Sequence, residues 1–193
     1  MSDDSRDLGR DELLVYLTEV GELLQEQHLQ GYLYIVGGAA MALVFDSRRI
    51  TRDVDASMRT DRAPLDAAVR EVARRHGLSP SWINSSASAF FTNEPDDEAS
   101  ELNLPGLRLA IASPQHLIAM KLRAGRNRDL DDLEVLFRHV GVATPEEALE
   151  IHDRLFDDSY IGSSDPEEIL YVAGLVFDRA AKAGRPLGTG GHD

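Results

Sequence analysis

The sequence contains no cysteine, which excludes a disulfide framework and any metal site built on thiolates. No apolar run approaches the length needed to cross a membrane, and the N-terminal residues are acidic rather than signal-like. The six histidines lack the spacing of metal ligands, and the serines of segment 81–91 lack a matching histidine and aspartate, which argues against a serine hydrolase. The simplest interpretation is a cytoplasmic bacterial protein.

Basic residues are in the minority and are unevenly distributed. The 193-residue chain has 20 basic and 34 acidic side chains, a formal net charge of −14, so it should repel nucleic acid on average. Residues 48–76 nevertheless hold eight arginines against five acids, and residues 121–128 hold four basic side chains and no acid. This distribution favours local recognition of a triphosphate, or of an RNA end, over broad DNA binding.

Two glycines after an apolar strand form the first motif. A strand is predicted over residues 32–36, Gly37 and Gly38 follow it, and a short helix is predicted over residues 39–45. Because glycine lacks a Cβ, the backbone amides of such a turn can approach phosphate oxygens, and a helix N-terminus favours an anion. On its own, a glycine pair after a strand most often forms only a turn.

Two aspartates one residue apart follow the glycine pair. Asp53 and Asp55 begin a strand predicted over residues 53–58, and positions i and i+2 of a strand face the same side. Two carboxylates on one face repel each other unless a cation lies between them, and Mg²⁺ prefers such oxygen ligands together with substrate phosphates. Arg52 adds positive charge directly before the pair. The combined order predicts a site for a nucleoside triphosphate with Mg²⁺ or Mn²⁺.

One of only two lysines in the chain belongs to a further motif. Arginine supplies the rest of the positive charge, yet Lys121 lies beside the apolar stripe of a helix predicted over residues 114–124. A compact ammonium suits a phosphate as a point charge, and a solvent-exposed lysine is the simpler alternative. Asp129 and Asp132 share one face of the next predicted helix, where they could complete a metal site, orient Lys121, or only stabilise the helix dipole.

These motifs together resemble the nucleotidyltransferase superfamily related to DNA polymerase beta. More narrowly, residues 31–60 and 107–137 are similar to AbiEii-type toxins and related bacterial nucleotidyltransferase-like proteins. Those proteins have a strand, Gly-Gly or Gly-Ser, a short helix and Asp-x-Asp, then a helical lysine, an arginine and an acidic run. The chain departs from the pattern at Ala39, where many members have a serine that grips phosphate. Backbone amides and basic side chains are therefore expected to bind the phosphates.

The resemblance implies a magnesium-dependent nucleotidyltransferase. It would move a nucleoside monophosphate from a triphosphate to an acceptor hydroxyl on a tRNA end or a protein, and release pyrophosphate. The nucleotide-binding residues that it implies are Gly37, Gly38, Arg52 and Arg126. The metal ligands are Asp53 and Asp55, and the catalytic set adds Lys121, Asp129 and Asp132. The biological setting that it implies is a toxin–antitoxin or phage-defence system, with a cognate antitoxin as partner.

Two other functions stay open at this point. The missing serine at Ala39, and the lack of a third acid on the strand predicted over residues 107–112, favour a noncatalytic nucleotide-binding or antitoxin-like module. Alternatively, the acidic surface would attract a cationic small molecule, as in an aminoglycoside-type nucleotidyltransferase.

The predicted fold is α/β (α+β), a minimal nucleotidyltransferase core with a small mixed sheet flanked by helices. The hydrophobic share of 42% is sufficient for a core of this kind. Helical periodicity and capping boxes divide the chain into four predicted segments. These are an N-terminal helical segment (1–30), the nucleotidyltransferase core (31–140), C-terminal helices (141–183) and a tail expected to be disordered (184–193).

Overall fold

The contacts of the chain divide it into two units. The computed structural model describes residues 6–46, 48–58, 61–92, 94–156 and 165–188. The first unit comprises Met1–Ala89 and Glu98–Ala112, and the second comprises Phe90–Asp97 and Ser113–Asp193. The division falls inside the 31–140 segment that the sequence suggested as one core. No helix in the described part of the chain is long and apolar enough to span a membrane.

The first unit is built on an open, five-stranded mixed sheet. Its strands are β1 (Gly31–Ile35), β2 (Val54–Met58), β3 (Ile83–Asn84), β4 (Ser100–Leu104) and β5 (Leu107–Ile111). They lie in the order β3-β2-β1-β5-β4. β1 runs parallel to β5 and antiparallel to β2, whereas β2 runs parallel to β3 and β5 antiparallel to β4. This mixed sheet with helices confirms the predicted α/β class.

One strand of the sheet has no counterpart in the sequence prediction. β4 is an edge strand whose residues are exposed or half-buried, and it includes Ser100, Glu101 and Asn103. An edge strand with so little burial lacks the apolar alternation by which strands are recognised. The sequence pattern therefore predicts an acidic loop up to Ser100 where β4 begins.

Besides a 3₁₀ helix (Ser86–Phe90) that follows β3, the described residues of the first unit form three helical segments. They are α1 (Arg10–Glu26), α2 (Gly37–Ala40), which continues into a π-helical turn (Met41–Phe45), and α3 (Arg62–His76). α1 packs against α3, β4 and β5, so the predicted N-terminal helical segment belongs to the same core as the sheet. Its buried side chains include Leu13, Leu17 and Val20, all fully inaccessible.

At Gly21, α1 lies in very close contact with the β4–β5 turn. A Cβ at Gly21 would lie 2.0 Å from the backbone oxygen of Pro105 and 2.9 Å from the Cβ of Leu107. Glycine inside a helix costs about 1 kcal/mol relative to alanine, so this position sacrifices local helix stability for close packing. The approach fixes α1 directly against the strand that pairs with β1.

The second unit is helical. It contains α4 (Pro114–Ala124), a 3₁₀ turn (Asn127–Asp129), α5 (Leu130–Val140), α6 (Pro145–Leu155) and α7 (Pro166–Lys182). The side chains of Ser113, Thr144 and Asp165 each accept a hydrogen bond from a first-turn backbone N–H, as the capping patterns predict. α4 packs against α5, α6 and α7.

Residues 184–188 contact α5, although the composition suggested that they begin a disordered tail. Arg138 donates hydrogen bonds to the carbonyl oxygens of Arg185 and Pro186, and the guanidinium of Arg185 lies 3.2 Å from Glu134. Leu187 is buried. The glycine-rich composition hides these two anchoring side chains, Arg185 and Leu187. Residues 189–193 lie outside the described residues.

Gly21→Ala should destabilise the protein by roughly 1–3 kcal/mol, because its Cβ would clash with the Pro105 carbonyl. The matched control is Gly174→Ala in α7, where a Cβ would meet nothing within 4 Å. That substitution should stabilise the protein by up to about 1 kcal/mol, since alanine is the better helix former. Urea unfolding followed by circular dichroism measures both changes. Stability changes of the same sign would contradict the close packing at Gly21.

Candidate functional site

The glycine turn and the acidic pair, two separate motifs in the sequence, lie side by side in the first unit. The Val36 N–H donates to the Asp55 carbonyl oxygen at 2.9 Å, which fixes the end of β1 against β2. Gly37 follows with a φ of +66°, a conformation that favours glycine. A Cβ at Gly37 would lie 3.2 Å from Oδ2 of Asp55, so the carboxylate lies directly beside the turn.

Thr51 lies beside the second glycine and supports the acidic pair. A Cβ at Gly38 would lie 2.9 Å from Oγ1 of Thr51, which leaves no space for a larger residue without movement. The same hydroxyl donates to the Asp53 carbonyl oxygen at 3.0 Å. The backbone of Thr51 is held in turn by Leu8, through hydrogen bonds of 2.7 and 3.0 Å. The chain around Asp53 is therefore held by the Thr51 hydroxyl, and Thr51 is itself held by the backbone of Leu8.

Asp55 is the second residue of β2, and Asp53 lies directly before the strand, which begins one residue later than predicted. Asp53 is exposed and Asp55 is half-buried, whereas Val54 and Ala56 between and after them are fully buried. This alternation places both carboxylates on the face opposite the buried residues, as the i, i+2 spacing predicts. The arrangement can present two carboxylates to one cation.

A third polar side chain completes this group, and the sequence analysis missed it. Asn84 lies on β3 in register with Asp55, and its Nδ2 donates to Oδ2 of Asp53 at 3.2 Å. The strand has only two residues and precedes a serine-rich segment, so no apolar alternation marks it. The signal that could have found it is the adjacent pair Trp82 and Ile83, both buried, directly before a polar residue.

Arg52, which the resemblance assigns to nucleotide binding, is exposed and pairs with Asp7. The two side chains approach to 3.2 Å between Nε and Oδ1, and about two-thirds of the arginine side chain remains exposed. Ala39, where many superfamily members have serine, is fully buried in α2. Among the phosphate-binding residues expected in this unit, Gly37 lies beside a carboxylate of the acidic pair, that of Asp55.

In the second unit, Lys121 lies in a buried ion cluster. Its Nζ donates to Oδ1 of Asp129 and Oδ2 of Asp132, each at 2.7 Å. The three residues are between 4% and 8% exposed, so the alternative of a solvent-exposed lysine is wrong. The left-handed Gly125 ends α4 and the following 3₁₀ turn leads into α5, which brings the two carboxylates back to the ammonium.

Arg126 is exposed and stacks on an aromatic ring within the same unit. Its guanidinium carbon lies 5.0 Å from the centre of the Phe90 ring, a cation–π contact. Phe90 itself is half-buried rather than part of the core. The arginine is thereby held in place while its charge stays accessible to solvent.

A buried Ser–His–Asp cluster also lies in the second unit, and its geometry does not fit a hydrolase. Ser113 Oγ and Asp96 Oδ1 both lie near Nδ1 of His116, at 2.9 and 3.3 Å. A catalytic triad needs the serine and the acid on opposite ring nitrogens. Ser113 also caps α4 and is almost fully buried. The cluster therefore fits a structural role at the start of α4.

A family profile described as "nucleotidyltransferase of unknown function" (DUF6036) matches residues 12–140. The chain belongs to this family. The matched residues run from α1 to the end of α5 and include the glycine turn, the acidic pair and Lys121. Comparison with curated proteins and with solved structures finds no significant match. Family membership confirms the predicted superfamily, and the narrower similarity to AbiEii-type toxins stays a prediction.

The residues of this nucleotidyltransferase fit a divalent cation that binds together with phosphates. Across the described ranges, no group of three or more histidine, aspartate or glutamate side chains could hold a metal ion by itself. Mg²⁺, however, is commonly bound through one or two carboxylates plus substrate phosphates. Asp53 and Asp55 supply the two carboxylates. Because Gly37 has no Cβ, the space between its backbone and the Asp55 carboxylate stays open for a phosphate.

Lys121→Met should destabilise the protein by roughly 3–5 kcal/mol, because it leaves Asp129 and Asp132 buried without their cation. The matched control is Lys182→Met, which changes the other lysine, an exposed one, and should cost no more than about 0.5 kcal/mol. Chemical unfolding gives both values. The triple variant Lys121→Met/Asp129→Asn/Asp132→Asn should recover part of the loss. Equal stabilities of the two lysine variants would contradict a buried ion cluster.

Proposed function

We propose that this nucleotidyltransferase moves a nucleoside monophosphate from a triphosphate to an acceptor hydroxyl, with Mg²⁺ or Mn²⁺ held by Asp53 and Asp55. The observation that carries the proposal is the position of the Asp55 carboxylate beside the left-handed Gly37 turn. Phosphates that approach the backbone at this turn would meet the carboxylates and their cation together. Family membership supports the class of reaction.

Each group of the first unit has a role in this proposal. Gly37 and Gly38 leave the backbone amides accessible to phosphate oxygens, because neither carries a side chain that would cover them. Asp53 and Asp55 hold the cation and position the acceptor hydroxyl in line with the α-phosphorus. The hydroxyl oxygen bonds to that phosphorus while the bond to the bridging oxygen breaks, and pyrophosphate leaves. When bound, the cation would neutralise phosphate charge and favour loss of the hydroxyl proton.

In the second unit, we assign Lys121 and Arg126 to the stabilisation of phosphate charge. Asp129 and Asp132 account for two of the three N–H donors of Lys121 and hold the ammonium in one orientation. The stacking of Arg126 on Phe90 restricts the guanidinium in a similar way. Cations held in place in advance stabilise a transition state better than mobile ones, because less reorganisation is needed.

The acceptor that the proposal favours is a tRNA end or a protein hydroxyl, in a toxin–antitoxin or phage-defence setting. The net charge of −14 disfavours extended nucleic-acid binding, and the local basic segments favour contact with a short terminus. A cationic small molecule remains the second acceptor class, because an acidic surface would attract it.

A noncatalytic nucleotide-binding module is the competing function, and two observations favour it. The carboxylates beside the glycine turn are two rather than three within the described residues, and Ala39 provides no hydroxyl for phosphate. Such a module would bind a triphosphate without cleaving it.

The test is to incubate the purified full chain with each α-labelled nucleoside triphosphate, Mg²⁺ or Mn²⁺, and total RNA, cell protein or a set of aminoglycosides. Label in one of these fractions identifies the acceptor class. Retention of triphosphate without transfer would support the noncatalytic alternative. Neither transfer nor binding would contradict both functions.

Asp53→Asn or Asp55→Asn should abolish transfer, because each removes one charge from a two-carboxylate cation site. Both variants should fold and be as stable as the parent or slightly more so, since the repulsion between the carboxylates is relieved. Exposed Asp11→Asn in α1 serves as the matched control and should transfer at the parent rate. Full metal-dependent activity in either site variant would rule out this pair as the metal ligands.

Gly37→Ala should weaken triphosphate binding, because its Cβ would press on the Asp55 carboxylate at the point where phosphates approach. Gly77→Ala is the matched control, since Gly77 has the same φ of +66° and nothing within 4 Å of its Cβ position. Both variants should lose roughly 1–2 kcal/mol of stability from the left-handed backbone. Calorimetric titration should show reduced triphosphate affinity for Gly37→Ala alone. Equal affinity in the two variants would argue against a phosphate-binding turn.

A further inference from the structure

The amide of Asn84 has a fixed orientation beside the acidic pair. The backbone N–H of Ser86 donates to Oδ1 of Asn84 at 2.7 Å. Because this oxygen accepts from the backbone, the NH₂ group is the one that faces Asp53, where it donates to Oδ2 at 3.2 Å. A flipped amide would place an N–H against an N–H at Ser86 and an oxygen against a carboxylate oxygen.

The third group beside the acidic pair is therefore a hydrogen-bond donor. Asn84 lies in register with Asp55 on the adjacent parallel strand, so it lies next to both aspartates along the same edge of the sheet. An amide NH₂ has no lone pair to offer a metal ion, and its hydrogen bond engages one oxygen of Asp53. Within the described residues, the site therefore combines two carboxylates with an amide donor that engages Oδ2 of Asp53.

We propose that Asn84 makes cation binding at Asp53 and Asp55 depend on the triphosphate, an inference that rests on the proposed function. With two carboxylates and a donor in the third place, the described part of the chain supplies too few oxygen ligands to hold Mg²⁺ or Mn²⁺ alone. Phosphate oxygens supply the missing ligands and negative charge, so cation and nucleotide bind together. Asn84 acts as a positioning residue, because it holds Asp53 and its NH₂ group would offer the cation no lone pair.

The number of charged ligands explains why cation binding would depend on the triphosphate. Mg²⁺ gives up its water reluctantly, and the affinity of a site for a hard cation rises with the number of charged oxygen ligands. An aspartate at position 84 would place a third carboxylate in register with Asp55, and would also remove the hydrogen bond that Asp53 accepts. The unmodified chain avoids that extra repulsion, since the neutral amide attracts the Asp53 carboxylate instead.

Mn²⁺ titration of the full chain, followed by electron paramagnetic resonance of the free ion, tests the proposal without any turnover. The unmodified chain should bind Mn²⁺ alone weakly. Asn84→Asp should bind Mn²⁺ alone at least about tenfold more tightly, because it adds a charged ligand. Asn103→Asp, which adds the same charge on the exposed edge strand β4, is the matched control and should not change Mn²⁺ binding. Circular dichroism confirms that each variant is folded.

A second arm adds an equimolar mixture of α,β-methylene analogues of the four nucleoside triphosphates, which cannot transfer a nucleotide. Equilibrium dialysis against a protein-free control should show that the analogues raise Mn²⁺ retained by the unmodified chain. Asn84→Ala should lower that retention by roughly 10–100-fold, the usual effect of removing a group that orients a metal ligand, without gaining affinity for Mn²⁺ alone.

Tight binding of Mn²⁺ alone by the unmodified chain would overturn the proposal, and so would an Asn84→Asp variant that binds no more tightly than the parent. If either result is found while the unmodified chain still transfers label, the proposed function is retained and only the role of Asn84 is rejected. Analogues that fail to raise Mn²⁺ retention would overturn the inference, and if label transfer is absent as well, the proposed function fails with it.

Discussion

The pairing of β1 with β2 is the constraint on which the candidate site depends. β1 ends at the glycine turn, β2 begins at the acidic pair, and the Val36–Asp55 backbone hydrogen bond fixes one end against the other. The antiparallel register therefore determines which carboxylate lies beside which glycine. A slip of one residue would turn Asp53 and Asp55 into the core and expose Val54 and Ala56. The burial of those two apolar side chains thus protects the geometry of the acidic pair.

Most of the fold could be predicted because its helices carry their own signals. Ser113, Thr144 and Asp165, each followed by proline, mark the starts of α4, α6 and α7, and Gly77 and Gly125 mark the ends of α3 and α4. The aromatic residues of segment 81–91 favour a strand there, which the two-residue β3 provides, whereas β4 lacks such signals because it is an exposed edge. The existence of β4 depends on long-range pairing, which local sequence does not encode.

In the candidate site, too, contacts between neighbouring residues of the chain could be predicted and contacts between distant ones could not. The Asp-x-Asp spacing predicts a shared strand face because that follows from backbone geometry alone. The role of Asn84 depends on a neighbouring strand and on one backbone N–H of Ser86, neither of which has a sequence pattern. The sequence spacing did suggest that Asp129 and Asp132 could orient Lys121, and both contact it, but it gave no sign that the three groups are buried together. A buried lysine with two carboxylates is an expensive arrangement that apolar residues could replace with equal or better stability.

The short segment ahead of α1 has a consequence for how the protein can be divided. Leu8 is fully buried and pairs through its backbone with Thr51, whose hydroxyl supports Asp53, and Asp7 pairs with Arg52. The family match begins at residue 12. A domain cut at the boundaries of that match would keep every residue of the acidic pair and the glycine turn. It would nevertheless remove Leu8, the backbone partner that holds Thr51. The Thr51 hydroxyl, which holds the Asp53 carbonyl, would then no longer be fixed in place.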